Sequence, residues 1–162
     1  MNLHTSTRIP IDDAYAVLIG KAVYAFSYYE WSLIYLVEWL GKVNFVGQYS
    51  RGRTLTSDGV RTELDNAIKN LPASFATVPR TDLQAIQDEF QALIARRNAL
   101  VHAHPVTDDD GSPISAYQAR ASKPITDMTW READIRALIS DIDAAASGTL
   151  SSVFEKLRPS AP

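Results

Sequence analysis

DDAYAVLIGKAVYAFSYYEWSLIYLVEWLG, residues 12–41, decides the fold: it reads as one long helix that is apolar on two sides. The helix is expected to start near Pro10, with Asp12 and Asp13 at the positive end of its dipole. Gly41, just after Leu40, suits a left-handed cap. Residues placed at ~100° intervals give one apolar face through Tyr15, Ile19, Ala22, Phe26, Leu33, Val37 and Leu40. A second stripe, through Tyr24, Tyr28, Trp31, Tyr35 and Trp39, lies nearly opposite. A helix apolar on two sides is buried on two sides, so it is either the centre of a bundle or one side of a dimer interface.

The rest of the chain adds helices around this one. Residues 47–58, with Arg51, Gly52, Arg53 and Ser57, read as a polar loop. A modest helix is expected over 59–70, with Val60, Leu64, Ala67, Ile68 and Leu71 on its apolar side, and Pro72 and Pro79 bracket a connector. The next helix opens on a Thr81/Gln84 capping box and ends by His104, because Pro105 forbids continuation. Asp109-Asp110-Gly111 signals a turn, and the alternation from Ile114 to Ala119 suggests one arm of a short β-hairpin. Thr129 and Glu132 form a second capping box for a last helix running on Ile135, Leu138, Ile139 and Ile142. Ser147-Gly148 kinks or breaks that helix before Leu150, Val153, Phe154 and Leu157, and residues 158–162 form a frayed tail. The expected class is all-α, a four- to five-helix bundle with a hairpin insertion before the last helix.

Composition narrows the function classes. The chain has 162 residues, enough for one domain with its core over about 12–157, and 46% are hydrophobic. A net charge of -3 disfavours a broad grip on long nucleic acid, which calls for a basic surface. A local patch from Arg51, Arg53, Arg61 and Arg96 stays open. The absence of cysteine excludes disulfides, thiolate zinc sites and a thiol nucleophile. Residues 1–10 lack the basic-then-apolar layout of a signal peptide. Lys21, Glu30, Glu38 and Lys42 interrupt the apolar run at 14–46, leaving too little for the roughly 18 residues of a span. A soluble, cytoplasmic protein that avoids the membrane is expected.

Two charges stand out against this pattern. The third helix carries an apolar seam of Leu83, Ile86, Phe90, Leu93, Ile94, Leu100 and Val101, and Arg97 falls near its centre while Arg96 points away. Glu30 falls within the apolar face of the first helix. Charges rarely sit on core-facing lines unless paired or functional. They suggest a charge-assisted pair, or two parts of one site; alternatively Arg97 snorkels at the bundle end and Glu30 lies at its rim. Asn98 and His102, four residues apart, share a face. Arg97 and His102 differ by about 140° and ~7.5 Å along the axis, so they cannot stack but can converge on a ligand across the helix end. Arginine offers a fork of donors for phosphate oxygens, and histidine can pass protons near neutrality. A histidine at a helix end also serves simply as a dipole partner. A metal site from His102, His104 and Asp108-Asp109-Asp110 is a weaker reading, since the rings diverge and the aspartates suit a solvated hairpin tip.

Arg97-Asn98-Ala99-Leu100-Val101-His102 resembles the R-x4-6-H signature of the HEPN family, with a polar residue directly after the arginine. Its position at the end of a long helix, the Ala103-His104-Pro105 context and the Glu30-containing first helix are similar too. The resemblance implies a helical bundle that dimerises through the motif helix, bringing two motifs into one cleft. It implies a metal-independent endoribonuclease, needing no cofactor, of a toxin or defence system, with RNA as substrate and an antitoxin protein as a possible partner. His102 would then be the general acid/base, Arg97 would hold the scissile phosphate, and Asn98 would position His102 or the substrate. Arg96, His104 and Glu30 would lie at the margin of substrate binding. Other members of the family are non-catalytic modules that bind a nucleotide or a protein, which is the alternative function.

Overall fold

The computed structural model describes residues 12–50, 55–119 and 127–158. The chain is mostly helical. A 27-residue α1 (Asp13–Trp39) is followed by α2 (Phe45–Ser50), α3 (Ser57–Lys69) and α4 (Arg80–Val101). Three strands come next: β1 (His104–Thr107), β2 (Pro113–Tyr117) and β3 (Met128–Trp130). Then come α5 (Glu132–Ser147) and α6 (Thr149–Leu157). Among the described residues no helix is long and apolar enough to cross a membrane.

The long helix lies at the centre, packed against α2, α3, α4 and α5. Its N-terminus is fixed by Asp12, whose carboxylate accepts from the Tyr15 amide at 2.7 Å. Pro10 itself lies outside the described residues. At the other end Gly41 has φ +115°, the left-handed conformation that stops the helix. Of the first predicted face, Tyr15, Ala22, Phe26, Leu33, Val37 and Leu40 are buried and Ile19 is half-buried. The second stripe departs from expectation: Tyr24, Tyr28, Tyr35 and Trp39 are exposed, and only Trp31 is half-buried. Among the described residues that side is covered only at its far end, where Trp31 meets Tyr49 of α2 and Trp39 meets Phe154 of α6.

Local details differ from the sequence reading for identifiable reasons. Residues 47–50, expected as loop, belong to the helix Phe45–Ser50, because the Glu38 carboxylate accepts from the Val46 amide at 2.8 Å and caps it. Residues 51–54 lie outside the described residues. Thr81 does not cap α4; Pro79 precedes its first residue, and Gln84 instead donates to Asp88 at 2.9 Å. Arg80 explains the junction. Its guanidinium donates to the carbonyls of Ile68 (2.9 Å) and Leu71 (2.6 Å), closing the open end of α3. Helix α4 stops at Val101 with His102 as its cap, before His104 as expected, and His104 and Pro105 then pair as strand with Ala116 and Ser115.

The insertion is a three-stranded antiparallel sheet in the order β1-β2-β3, not a simple hairpin. Thr129 pairs with Ala116 as strand, so it cannot cap α5. That helix begins at Glu132, where the Asp134 carboxylate accepts from the Arg131 amide at 2.8 Å. Gly148 separates α5 from α6 as expected. Residues 120–126 and 159–162, which include part of the predicted tail, lie outside the described residues.

The core is built on Phe26, Tyr29 and Phe90, whose rings meet at centroid distances of 6.0 Å across α1 and α4. Tyr29 is fully buried and its hydroxyl has no hydrogen-bond partner. Burial, followed by the nearby Glu89 carboxylate, pushes its phenol well above the ordinary range. Removing an unsatisfied buried hydroxyl recovers its desolvation penalty. The Tyr29→Phe variant is therefore expected to unfold at higher urea, gaining about 1 kcal/mol. A loss of stability in that titration would show that the hydroxyl is satisfied after all.

Candidate functional site

Arg97 sits where α1, α3 and α4 meet. It is half-buried, and its guanidinium carbon lies 4.6 Å from the centroid of the Phe26 ring. An arginine over an aromatic face is held by the ring quadrupole. One terminal nitrogen donates to the hydroxyl of Ser57, the first residue of α3. The Nε–H is buried and has no acceptor. This is a charged group placed on a core-facing line with no carboxylate to neutralise it among the described residues.

Glu30 stands one helical turn beyond Phe26 on α1. It is half-buried, and one of its carboxylate oxygens has no hydrogen-bond donor. No ion pair joins it to Arg97. The charge-assisted pair that the sequence suggested is absent among the described residues. Its electrostatic neighbour is Tyr49 of α2, whose phenol is pushed up first by burial and then by the Glu30 charge.

Asn98 is half-buried one residue further along α4, and its carbonyl accepts from the His102 amide at 3.0 Å. His102 forms the cap of α4 and its ring is exposed. Val101, expected on the apolar seam, is also exposed, while Ala99 and Leu100 are buried. The end of α4 is thus a wet surface with Arg97 set beneath it. His104 is exposed at the start of β1. Arg96 turns toward α5 and pairs with Asp141 at 2.5 Å, away from the Phe26 side. Burial, and after it the Asp141 charge, pushes the Glu89 carboxyl up.

The other sequence candidates separate in space. Arg61 pairs with Asp58 at 2.9 Å on α3, and Arg51 and Arg53 lie outside the described residues. Asp108 pairs with Arg131 at 2.8 Å, and Asp110 accepts from the Ser112 amide at 2.9 Å. Among the described residues no three His, Asp or Glu side chains gather as metal ligands. Two clefts lie elsewhere: one of about 230 Å³ beside Arg96 and Trp130, and one of about 650 Å³ between α1 and α5.

Ser57 and Phe26, which hold Arg97, were not legible as site residues. Ser57 sits in what reads as loop, and Phe26 reads as core. The available signal was indirect: an arginine on an apolar seam requires an aromatic face and an acceptor. Comparison with protein-family models, with curated proteins and with solved structures finds no match.

Proposed function

We propose that the chain is a metal-independent endoribonuclease of the HEPN type, with Arg97, Asn98 and His102 as its site. The observation that supports this best is Arg97 itself. Among the described residues it is a half-buried cation with no carboxylate partner, at the same helix end as the exposed His102. Phe26 and Ser57 hold its guanidinium in place before a phosphate arrives.

The reaction balances on these groups. His102 accepts the proton of an RNA 2′-hydroxyl, and the 2′-oxygen attacks the adjacent phosphorus. The phosphorus–5′-oxygen bond breaks, leaving a 2′,3′-cyclic phosphate, and the departing 5′-oxygen takes a proton from water. Arg97 stabilises the charge that builds on the phosphate oxygens, and Asn98 orients the imidazole or the substrate. The attacking hydroxyl restricts the substrate to RNA. A toxin or defence role, and a protein antitoxin that covers the α4 end, belong to the same reading.

The test incubates the purified protein with structured and unstructured RNA in chelator, beside His102→Ala. Cyclic-phosphate ends from the wild type alone are expected. Equal cleavage by both proteins, or none by either, rejects the reading. A second reading, a non-catalytic helical module that binds a nucleotide or a protein, is favoured by one observation: Arg97 already contributes to the fold through Phe26 and Ser57. Absence of cleavage with intact folding would favour it.

A further inference from the structure

The cleft of about 650 Å³ between α1 and α5 takes no part in the proposed site, and its lining is ordered along its length. The Tyr15 hydroxyl donates to the Trp130 carbonyl at 2.7 Å, just before α5, and Trp39 meets Phe154 of α6 at 5.0 Å. The two helices therefore run in the same direction. One wall extends from Leu18 to Tyr28 and the other from Arg136 to Ala146, ~15 Å each. Lys21 and Arg136 stand on opposite walls toward the starting end. The buried Leu18 and Ile142 give the cleft an apolar floor. Asp143 stands seven residues beyond Arg136, ~10 Å further along α5.

The polar groups of this lining are largely unspent. Among the described residues Lys21 pairs with no carboxylate and the Asp143 carboxylate pairs with no cation. Arg136 pairs only with Glu132 of its own helix, at 3.2 Å. An exposed pair of that kind is worth little and gives way to a better partner. Tyr24 is 75% and Tyr28 66% exposed, and neither ring meets another among the described residues. Tyrosine offers a broad, rigid contact surface with a hydroxyl that can stay wet. The volume falls within the roughly 300–1,000 Å³ of pockets that take small organic ligands.

We propose that this cleft binds a hydroxyaryl carboxylate, a flat apolar ring with an anionic head at one end and a phenolic hydroxyl at the other. The carboxylate lies between Lys21 and Arg136, where the guanidinium fork matches both of its oxygens. The ring covers the apolar floor beside Tyr24 and Tyr28. The hydroxyl donates to the Asp143 carboxylate. The order of charges sets the direction of binding, because a reversed ligand would bring its carboxylate against Asp143.

This inference does not rest on the nuclease reading. Its test is calorimetric titration of the full chain with 4-hydroxycinnamate, cinnamate and 4-hydroxycinnamyl alcohol. Saturable one-to-one binding of 4-hydroxycinnamate is expected, with the uncharged alcohol about tenfold weaker or more. Lys21→Gln and Arg136→Gln should each weaken 4-hydroxycinnamate about tenfold while circular dichroism stays unchanged. Asp143→Ala should bring 4-hydroxycinnamate down to the affinity of cinnamate and leave cinnamate no weaker, the signature of a direct contact with the hydroxyl. His102→Ala, in the other site, should leave binding intact. Absence of saturable binding, equal binding of the alcohol, or indifference to Lys21→Gln and Arg136→Gln overturns the proposal. So does sedimentation showing this face closed by a second copy that excludes the probe. RNA cleavage is scored separately, so either conclusion can fail alone.

Discussion

Lysine in place of Arg97 is expected to lower RNA cleavage by roughly 10²- to 10³-fold, the usual loss when one preorganised donor to a developing oxyanion is removed. Charge is retained in this variant, so a plain point-charge role would leave most of the rate. Two features would be lost. The planar fork that fits phosphate oxygens disappears, and so does the flat surface that lies 4.6 Å from the Phe26 centroid. An ammonium in that position would also be free of the orientation that Ser57 imposes. The rate should fall with little change in apparent RNA affinity, because the lost interaction strengthens only as charge builds on the phosphate. Single-turnover cleavage at saturating RNA measures this directly. Unchanged turnover in Arg97→Lys would remove the arginine from the mechanism.

Truncating Phe26 to alanine should have the largest effect on stability. The ring is fully buried, stacks on Phe90 and forms the platform for Arg97. Loss of a buried phenylalanine destabilises by about 3–5 kcal/mol through lost transfer energy and the cavity left behind. Here the cavity would also border a half-buried cation deprived of its ring, which places the expected loss at the upper end of that range. Phe26→Leu separates the two contributions. It refills most of the volume but offers no π face, so it should recover most of the stability while Arg97 loses its stacking partner. Urea unfolding of both variants distinguishes them. A Phe26→Leu protein as unstable as Phe26→Ala would mean that the cation–π contact dominates.

The helical frame was readable wherever one residue's conformation decides the chain's path. Gly41 at φ +115° and Gly148 between α5 and α6 stand where the sequence places breaks. Reading failed where a remote partner decides. Thr129 looks like a helix cap, but its pairing with Ala116 draws it into strand. Residues 47–50 look like loop, but the Glu38 carboxylate caps the helix that contains them. Periodicity correctly finds two apolar sides on α1, yet it cannot distinguish a side covered by the same chain from one left open. At the candidate site the misplaced charge of Arg97 is visible in the sequence, because a basic residue interrupts an apolar seam. Its engagement by Phe26 and Ser57 is not visible, since those contacts join residues about 40 to 70 positions apart.

The bond from the Tyr15 hydroxyl to the Trp130 carbonyl spans 115 positions. On the ribosome, α1 emerges before α5. The flank that α5 covers stays bare while the intervening chain is made, roughly ten seconds at ordinary elongation speeds. Closure of the bundle around α1 therefore waits on the synthesis of α5, and its folding should be an abrupt event rather than a gradual one.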